Sequence, residues 1–245
     1  MLKPIDRSAL SKQVFEQLKE EIIEKRYRPG EHLPPERELC EVLKVNRSAV
    51  REALKRLEQA RLIEIRHGGG SIVLDFRTHA GFDLLGDLIV LAGKINSIAI
   101  RSIFEFRSLI CPEIARLAAL RIQDSELSEL LRIVEQIEAC PEQEAKQFQN
   151  LDFAFLYALV QASENLAHIL IINSTKDIYF AYQEFFTVMY QETMDKRGIY
   201  RQVYNALCAH DPERSKKLYG ELVELHTRIF FERYPMDPND LKLED

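Results

Sequence analysis

Apolar residues in the first third of the chain recur at helical intervals. Val14, Leu18 and Ile22 are four apart, with Phe15 beside them and Glu and Lys between, which predicts an amphipathic helix over 11–26. Arg28-Pro29-Gly30 ends it, because proline stiffens the chain and glycine tolerates positive φ. A short helix is predicted next, through Leu43, with Pro35 suited to its first turn and Glu36 to its positive N-terminal end. Lys44-Val45-Asn46 is a tight connection in which Asn46 is a good N-cap. A further helix is predicted from Arg47 to about Ala60, with Val50, Ala53, Leu54 and Leu57 on its inner stripe. The period then changes to short β-type runs, 62–66 and 71–74, around the hairpin tip His67-Gly68-Gly69-Gly70.

Helix, short helix, turn, helix and β-hairpin is the order of a winged helix-turn-helix. Beyond Phe82 the pattern is helical and no strand is expected. Residues 84–91, 98–120, 126–137, 144–162, 167–192, 199–209 and 212–234 read as helices joined by short loops, which predicts an antiparallel bundle of about seven. The fold class is therefore mainly α with one small hairpin. Residues 1–77 form one expected domain and 78–245 a second, with 75–81 as the linker and 235–245 as a frayed tail.

Composition narrows the class. Hydrophobic residues at 46% and charged residues at 29% are the balance of a globular protein, and nine glycines and nine prolines argue against an all-β chain. Charges break every apolar run before membrane-spanning length, and MLKPIDRSALSKQ is no secretory signal. Cys40, Cys111, Cys140 and Cys208 are scattered with no CxxC pair, as expected of reduced thiols in the cytoplasm.

The net charge of −6 argues against nucleic acid, but its sign is not uniform. Residues 1–78 carry 16 basic and 13 acidic side chains, whereas 79–245 carry 17 and 26. A positive first domain on an acidic remainder points that first domain toward an anionic partner. Arg47 and Arg51, four apart, share one helical face, while Val50 and Leu54 face inward. A basic pair alone is more often a solvated face. Behind a helix-turn and ahead of a glycine-rich wing, it fits a recognition helix whose first residues meet base edges. Arginine can bond two atoms of guanine at once, and Ser48 and Asn46 can bond phosphate or bases. Arg37, at the start of the preceding helix, can reach the same groove.

The stretches 27–39 (YRPGEHLPPEREL), 45–54 (VNRSAVREAL) and 62–70 (LIEIRHGGG) resemble the DNA-binding domain of the GntR family of bacterial transcription regulators. The resemblance implies base contacts at Arg37, Arg47 and Arg51, a phosphate contact at Ser48, and wing contacts at His67 and Gly69. Stretches 105–119 and 152–165 resemble the all-helical effector domain of the FadR subfamily. That domain binds a small metabolite and changes the spacing of paired DNA-binding domains. The implied protein is a homodimer on double-stranded DNA, at a near-palindromic operator.

Many such effector domains hold a divalent metal with one Asp and three His. Asp152 matches the Asp, but the three His positions fall on Leu156, Tyr200 and Leu222, so no metal and no other cofactor is expected. The acyl-CoA-responsive FadR proteins also lack those histidines. They are similar here in an Arg matching Arg107, a Tyr matching Tyr200 and a Tyr-Gly pair matching Tyr219-Gly220. The expected effector set is Arg107, Asp152, Leu156, Phe186, Tyr200, Tyr219 and Gly220. Its ligand is an acyl-CoA or another mainly apolar anion, with a small organic acid as the alternative. Arg107 sits on a helix rich in apolar residues, so either a carboxylate of the chain or an anionic ligand must pair with it. No Ser/His/Asp or Cys/His set supports an enzyme, and a purely structural helical domain is the remaining possibility.

Overall fold

The computed structural model describes residues 7–66, 68–91 and 94–235, and it divides into two compact units, 1–96 and 97–245. His67 and most of the expected tail lie outside the described residues.

In the first unit, α1 (Arg7–Ile23) buries Val14, Leu18 and Ile22, the predicted stripe. Helix α2 (Glu36–Leu43) follows Pro35 and closes on Lys44 at φ 53°, which turns the chain sharply into α3 (Arg47–Gln59). Asn46 caps α3, its Oδ1 accepting from the Ala49 N–H at 2.9 Å. Val50, Ala53, Leu54 and Leu57 pack inward on Leu18, Ile22 and Leu39. Strands β1 (Ile63–Arg66) and β2 (Gly70–Val73) pair antiparallel, with Ile63 opposite Val73 and Arg66 opposite Gly70. Gly68 and Gly70 have φ near +75° (73° and 78°), so the tip needs glycine there. The Pro29–Leu33 segment lies on the other side of β2. Gly30 N donates to Val73 O at 2.8 Å and Leu33 N to Ser71 O at 2.9 Å, which anchors the wing to the loop before α2.

Residues 75–96 depart from the sequence expectation. The presumed linker forms one turn of helix, α4 (Phe76–His79), capped by Asp75. The helix expected at 84–91 is a 3₁₀ turn, Phe82–Gly86, followed by two short strands, β3 (Val90–Leu91) and β4 (Lys94–Ile95). The no-strand expectation beyond 82 is thus corrected. A short apolar run is ambiguous between helix and strand, and Gly86 weakens a helix there. Leu84 is buried in the winged-helix core, and Lys19 Nζ on α1 lies 2.6 Å from Asp87 Oδ1. Residues 78–96, read from sequence with the second domain, therefore cluster with the first unit.

Among its described residues the second unit contains seven α-helices: α5 (Ser97–Arg121), α6 (Asp124–Ala139), α7 (Ala145–Ala162), α8 (Leu166–Ala181), α9 (Gln183–Gln191), α10 (Gly198–Cys208) and α11 (Pro212–Arg233). The bundle has the expected number of helices by a different division. The segment at 84–91 drops out, and the single helix expected at 167–192 breaks at Tyr182, where no glycine or proline marks it. Asn165 caps α8 and Asp211 caps α11 ahead of Pro212, at breaks visible in the sequence. Helix α7 runs through the core, burying Phe148, Asp152, Phe155, Leu156 and Leu159.

Candidate nucleic-acid interface and effector site

Helix α3 opens with Arg47 and Ser48 exposed and Arg51 one turn on, also exposed, because the inward stripe occupies the opposite face. Arg37 on α2 has 80% of its side chain exposed and lies 3.5 Å from Glu41. Arg51 Nε donates to Glu36 Oε2 at 2.8 Å across the α2–α3 turn. Arg47 has no carboxylate within 4 Å among the described residues. Asn46 spends its side-chain oxygen on the cap, which leaves only its amide nitrogen for a partner. Gly69 is exposed at the wing tip, where an added Cβ would lie 3.1 Å from Arg66 Cβ. Sequence reasoning placed Glu36 only as a helix-start residue; its hold on Arg51 comes from the turn.

The effector set divides when placed in space. Asp152, buried on α7, accepts at Oδ2 from the Tyr190 hydroxyl at 2.7 Å and at Oδ1 from the Tyr200 hydroxyl at 2.6 Å. Tyr179 donates in turn to Tyr190 at 3.0 Å. Burial first, and then the Asp152 charge, push both partner phenols well above their ordinary pKa, so they remain donors. Arg107, with 18% of its side chain exposed, lies 3.9 Å from Asp152 Oδ2, too long for a hydrogen bond. Its Nη2 instead reaches His226 Nδ1 at 3.2 Å.

Arginine can only donate, so His226 accepts at Nδ1 and carries its proton on Nε2, 3.3 Å from Thr193 Oγ1. Thr193 passes a bond to Met189 O at 2.9 Å. Burial drives the His226 pKa down to about 4, Asp152 pulling it back in part and Arg107 adding to the fall, which keeps the ring neutral. Burial likewise pushes the Cys111 thiol up to about 11, with Arg107 opposing it. The carboxylate alternative foreseen for Arg107 is thus met only loosely.

The structure gathers Arg107, Asp152 and Tyr200, with Tyr219 buried close enough for the Asp152 charge to raise its pKa, after burial itself. Phe186 belongs to an aromatic cluster, with ring centres 6.3 Å from Phe104, 5.8 Å from Phe230 and 6.2 Å from Tyr179. Gly220 is where α11 approaches α5, an added Cβ lying 3.5 Å from Pro112 Cγ. Leu156 is core. Sequence reasoning missed Tyr190, Thr193 and His226. The signal for His226 was its spacing, one turn after Leu222 on α11. Metal does not fit this donor set. Leu156 and Leu222 offer no ligand, both Asp152 oxygens are taken by tyrosines, and among the described residues no group of three or more His, Cys, Asp or Glu could hold an ion.

Residues 10–73 match the family described as bacterial regulatory proteins, gntR family, and residues 102–225 match the FCD domain. The chain belongs to the GntR family. It is a DNA-binding regulator with a helical ligand-responsive domain, and the family is one of regulators, not enzymes. Similar chains include the HTH-type transcriptional regulator Mce2R of Mycobacterium tuberculosis, 36% identical over 91% of this chain and 92% of that one. The fatty acid metabolism regulator protein of Cronobacter sakazakii is 29% identical over 85% of this chain and 93% of its own. The solved structure of Lar, described as controlling the Listeria monocytogenes agr system, shares the fold. Its TM-score is 0.57 at 17% identity, over 97% of this chain and 100% of that one. The GntR match spans Arg37 to Gly69, and the FCD match spans Arg107 to Leu222, stopping one residue short of His226. No helix among the described residues is long and apolar enough to cross a membrane.

Proposed function

We propose that this chain is a homodimeric, FadR-like transcription regulator that reads a near-palindromic operator through α3 and the wing, and answers to a mainly apolar anionic effector, with an acyl-CoA as the leading candidate. The observation that carries the DNA reading is the split of α3, with Arg47, Ser48 and Arg51 outward and Val50, Leu54 and Leu57 inward. Arg37 stands beside them on α2, and Ser48, Asn46, His67 and Gly69 supply backbone and wing contacts. Two copies related by a two-fold axis require a two-fold operator.

The effector reading is supported by Arg107, a cation in a buried network whose nearest carboxylate lies 3.9 Å away and already accepts from two tyrosines. An anionic head group would give it a negatively charged partner at hydrogen-bond distance, which Asp152 at 3.9 Å does not provide. Similarity to fatty acid metabolism regulators favours an acyl chain behind that head, each buried methylene contributing about 0.8 kcal/mol. The closed packing of Leu156, Phe186, Tyr200 and Tyr219 favours the second reading, a small organic acid held by Arg107 without metal.

Calorimetric titration of full-length protein with acyl-CoAs of increasing length decides between them. Affinity rises with chain length and falls in Arg107→Ala if the first reading holds. No binding by any acyl-CoA, or binding only with added zinc or nickel, overturns it.

A further inference from the structure

We propose that Glu36 is a specificity-determining positioning residue of the DNA-reading surface. Its carboxylate at the head of α2 holds the Arg51 guanidinium by Nε, so that the two terminal nitrogens are left to meet base edges. The inference rests on the DNA-binding reading above.

Two features distinguish this pair from the other arginine ion pairs of the unit, and a third, the use of Nε–H, is shared with Arg66–Glu64. It ties two helices, the partners lying fifteen residues apart, whereas Arg37–Glu41 and Arg56–Glu52 are neighbours on one helix. It uses the Nε–H, with N···O at 2.8 Å. It falls on one of the two arginines in the first two turns of α3, while the other, Arg47, has no carboxylate within reach among the described residues.

The guanidinium is a rigid planar fork, and bidentate recognition of guanine needs two parallel donors aimed together. A carboxylate on Nε fixes the plane of the fork and leaves the Nη pair outward. The pair is exposed, so it adds little to folding stability. A carboxylate set among DNA-facing residues repels phosphates and weakens binding to every sequence. The combined effect is lower affinity everywhere and sharper choice of base, since an arginine held in one orientation rejects bases that a freely turning one would accept.

The test selects binding sites for the full-length protein from a random-sequence duplex library, then measures binding to the selected site, to its single-base variants and to unrelated duplex at one salt concentration. Glu36→Ala is expected to bind unrelated duplex more tightly than wild type and to lose about tenfold in discrimination at one base pair per half-site. Glu36→Gln is expected to show the same gain on unrelated duplex yet keep its discrimination, because the amide oxygen still accepts from Nε. In an Arg51→Ala background, adding Glu36→Ala is expected to change discrimination nowhere. Unchanged discrimination in Glu36→Ala overturns the proposal, as does an equal loss without Arg51. Failure of the wild-type protein to enrich any sequence overturns the DNA-reading assignment itself, a different result from either.

Discussion

The Tyr200 hydroxyl donates to Asp152 Oδ1 at 2.6 Å, deep in the buried core of the second unit. With Tyr190 on the other oxygen, it gives a buried carboxylate two hydrogen bonds that join α7 to α9 and α10. The two tyrosines thus cross-link three helices through one carboxylate.

Tyr200→Phe therefore leaves one oxygen of a buried carboxylate without its donor. The expected loss is about 1–3 kcal/mol of unfolding free energy, read from urea denaturation followed by circular dichroism. Zinc or nickel added to the wild-type protein should leave its melting temperature unmoved. A stoichiometric, metal-induced rise would contradict the tyrosine assignment.

His226 makes stability depend on pH. Its pKa is about 4 in the folded protein against an ordinary 6.5, so between those values the unfolded chain binds more protons. Stability from this group is complete above pH 6.5 and is lost as pH falls toward 4, by about 3 kcal/mol. Urea midpoints at pH 7, 5.5 and 4.5 should fall less steeply in His226→Gln than in wild type. Parallel slopes would show that His226 does not titrate this way.

Arg47→Ala is expected to weaken specific operator binding by about 1–3 kcal/mol, roughly tenfold to a hundredfold, at constant salt. Far-ultraviolet circular dichroism and sedimentation should match wild type, because the side chain is exposed and makes no ion pair among the described residues. Wild-type affinity in the variant would remove Arg47 from the base-reading set.

A fragment of residues 1–96 should be more stable than one of residues 1–81. The shorter piece loses Leu84 from the winged-helix core and the Asp87 partner of Lys19, a difference of about 2–3 kcal/mol. Both fragments should sediment as monomers and bind DNA more weakly than the full chain, if the helical unit supplies the dimer contacts. Equal stability of the two fragments would mean that 82–96 contributes nothing to the first unit.

Local rules determined much of this protein. Val14, Leu18 and Ile22 at intervals of four, Asn46 ahead of α3, the glycines of the wing and the caps at Asn165 and Asp211 each act within one or two turns of chain, so they are readable from neighbours. The outward arginines followed from the same periodicity, since a helix with one apolar stripe must expose the opposite face. Tertiary structure decided the rest. Leu84 sits in a turn because its burial against the α1 core outweighs the weak helical preference of a short run containing Gly86. Tyr182 interrupts a run that lacks any breaker, and α9 beyond it brings Tyr190 to Asp152. Arg107 and His226 are 119 residues apart in sequence, and Glu36 and Arg51 are fifteen apart across a turn. Hydrogen bonds such as these depend on where whole helices come to rest, and helix placement is set by the fit of many side chains at once, which no single stretch of sequence carries.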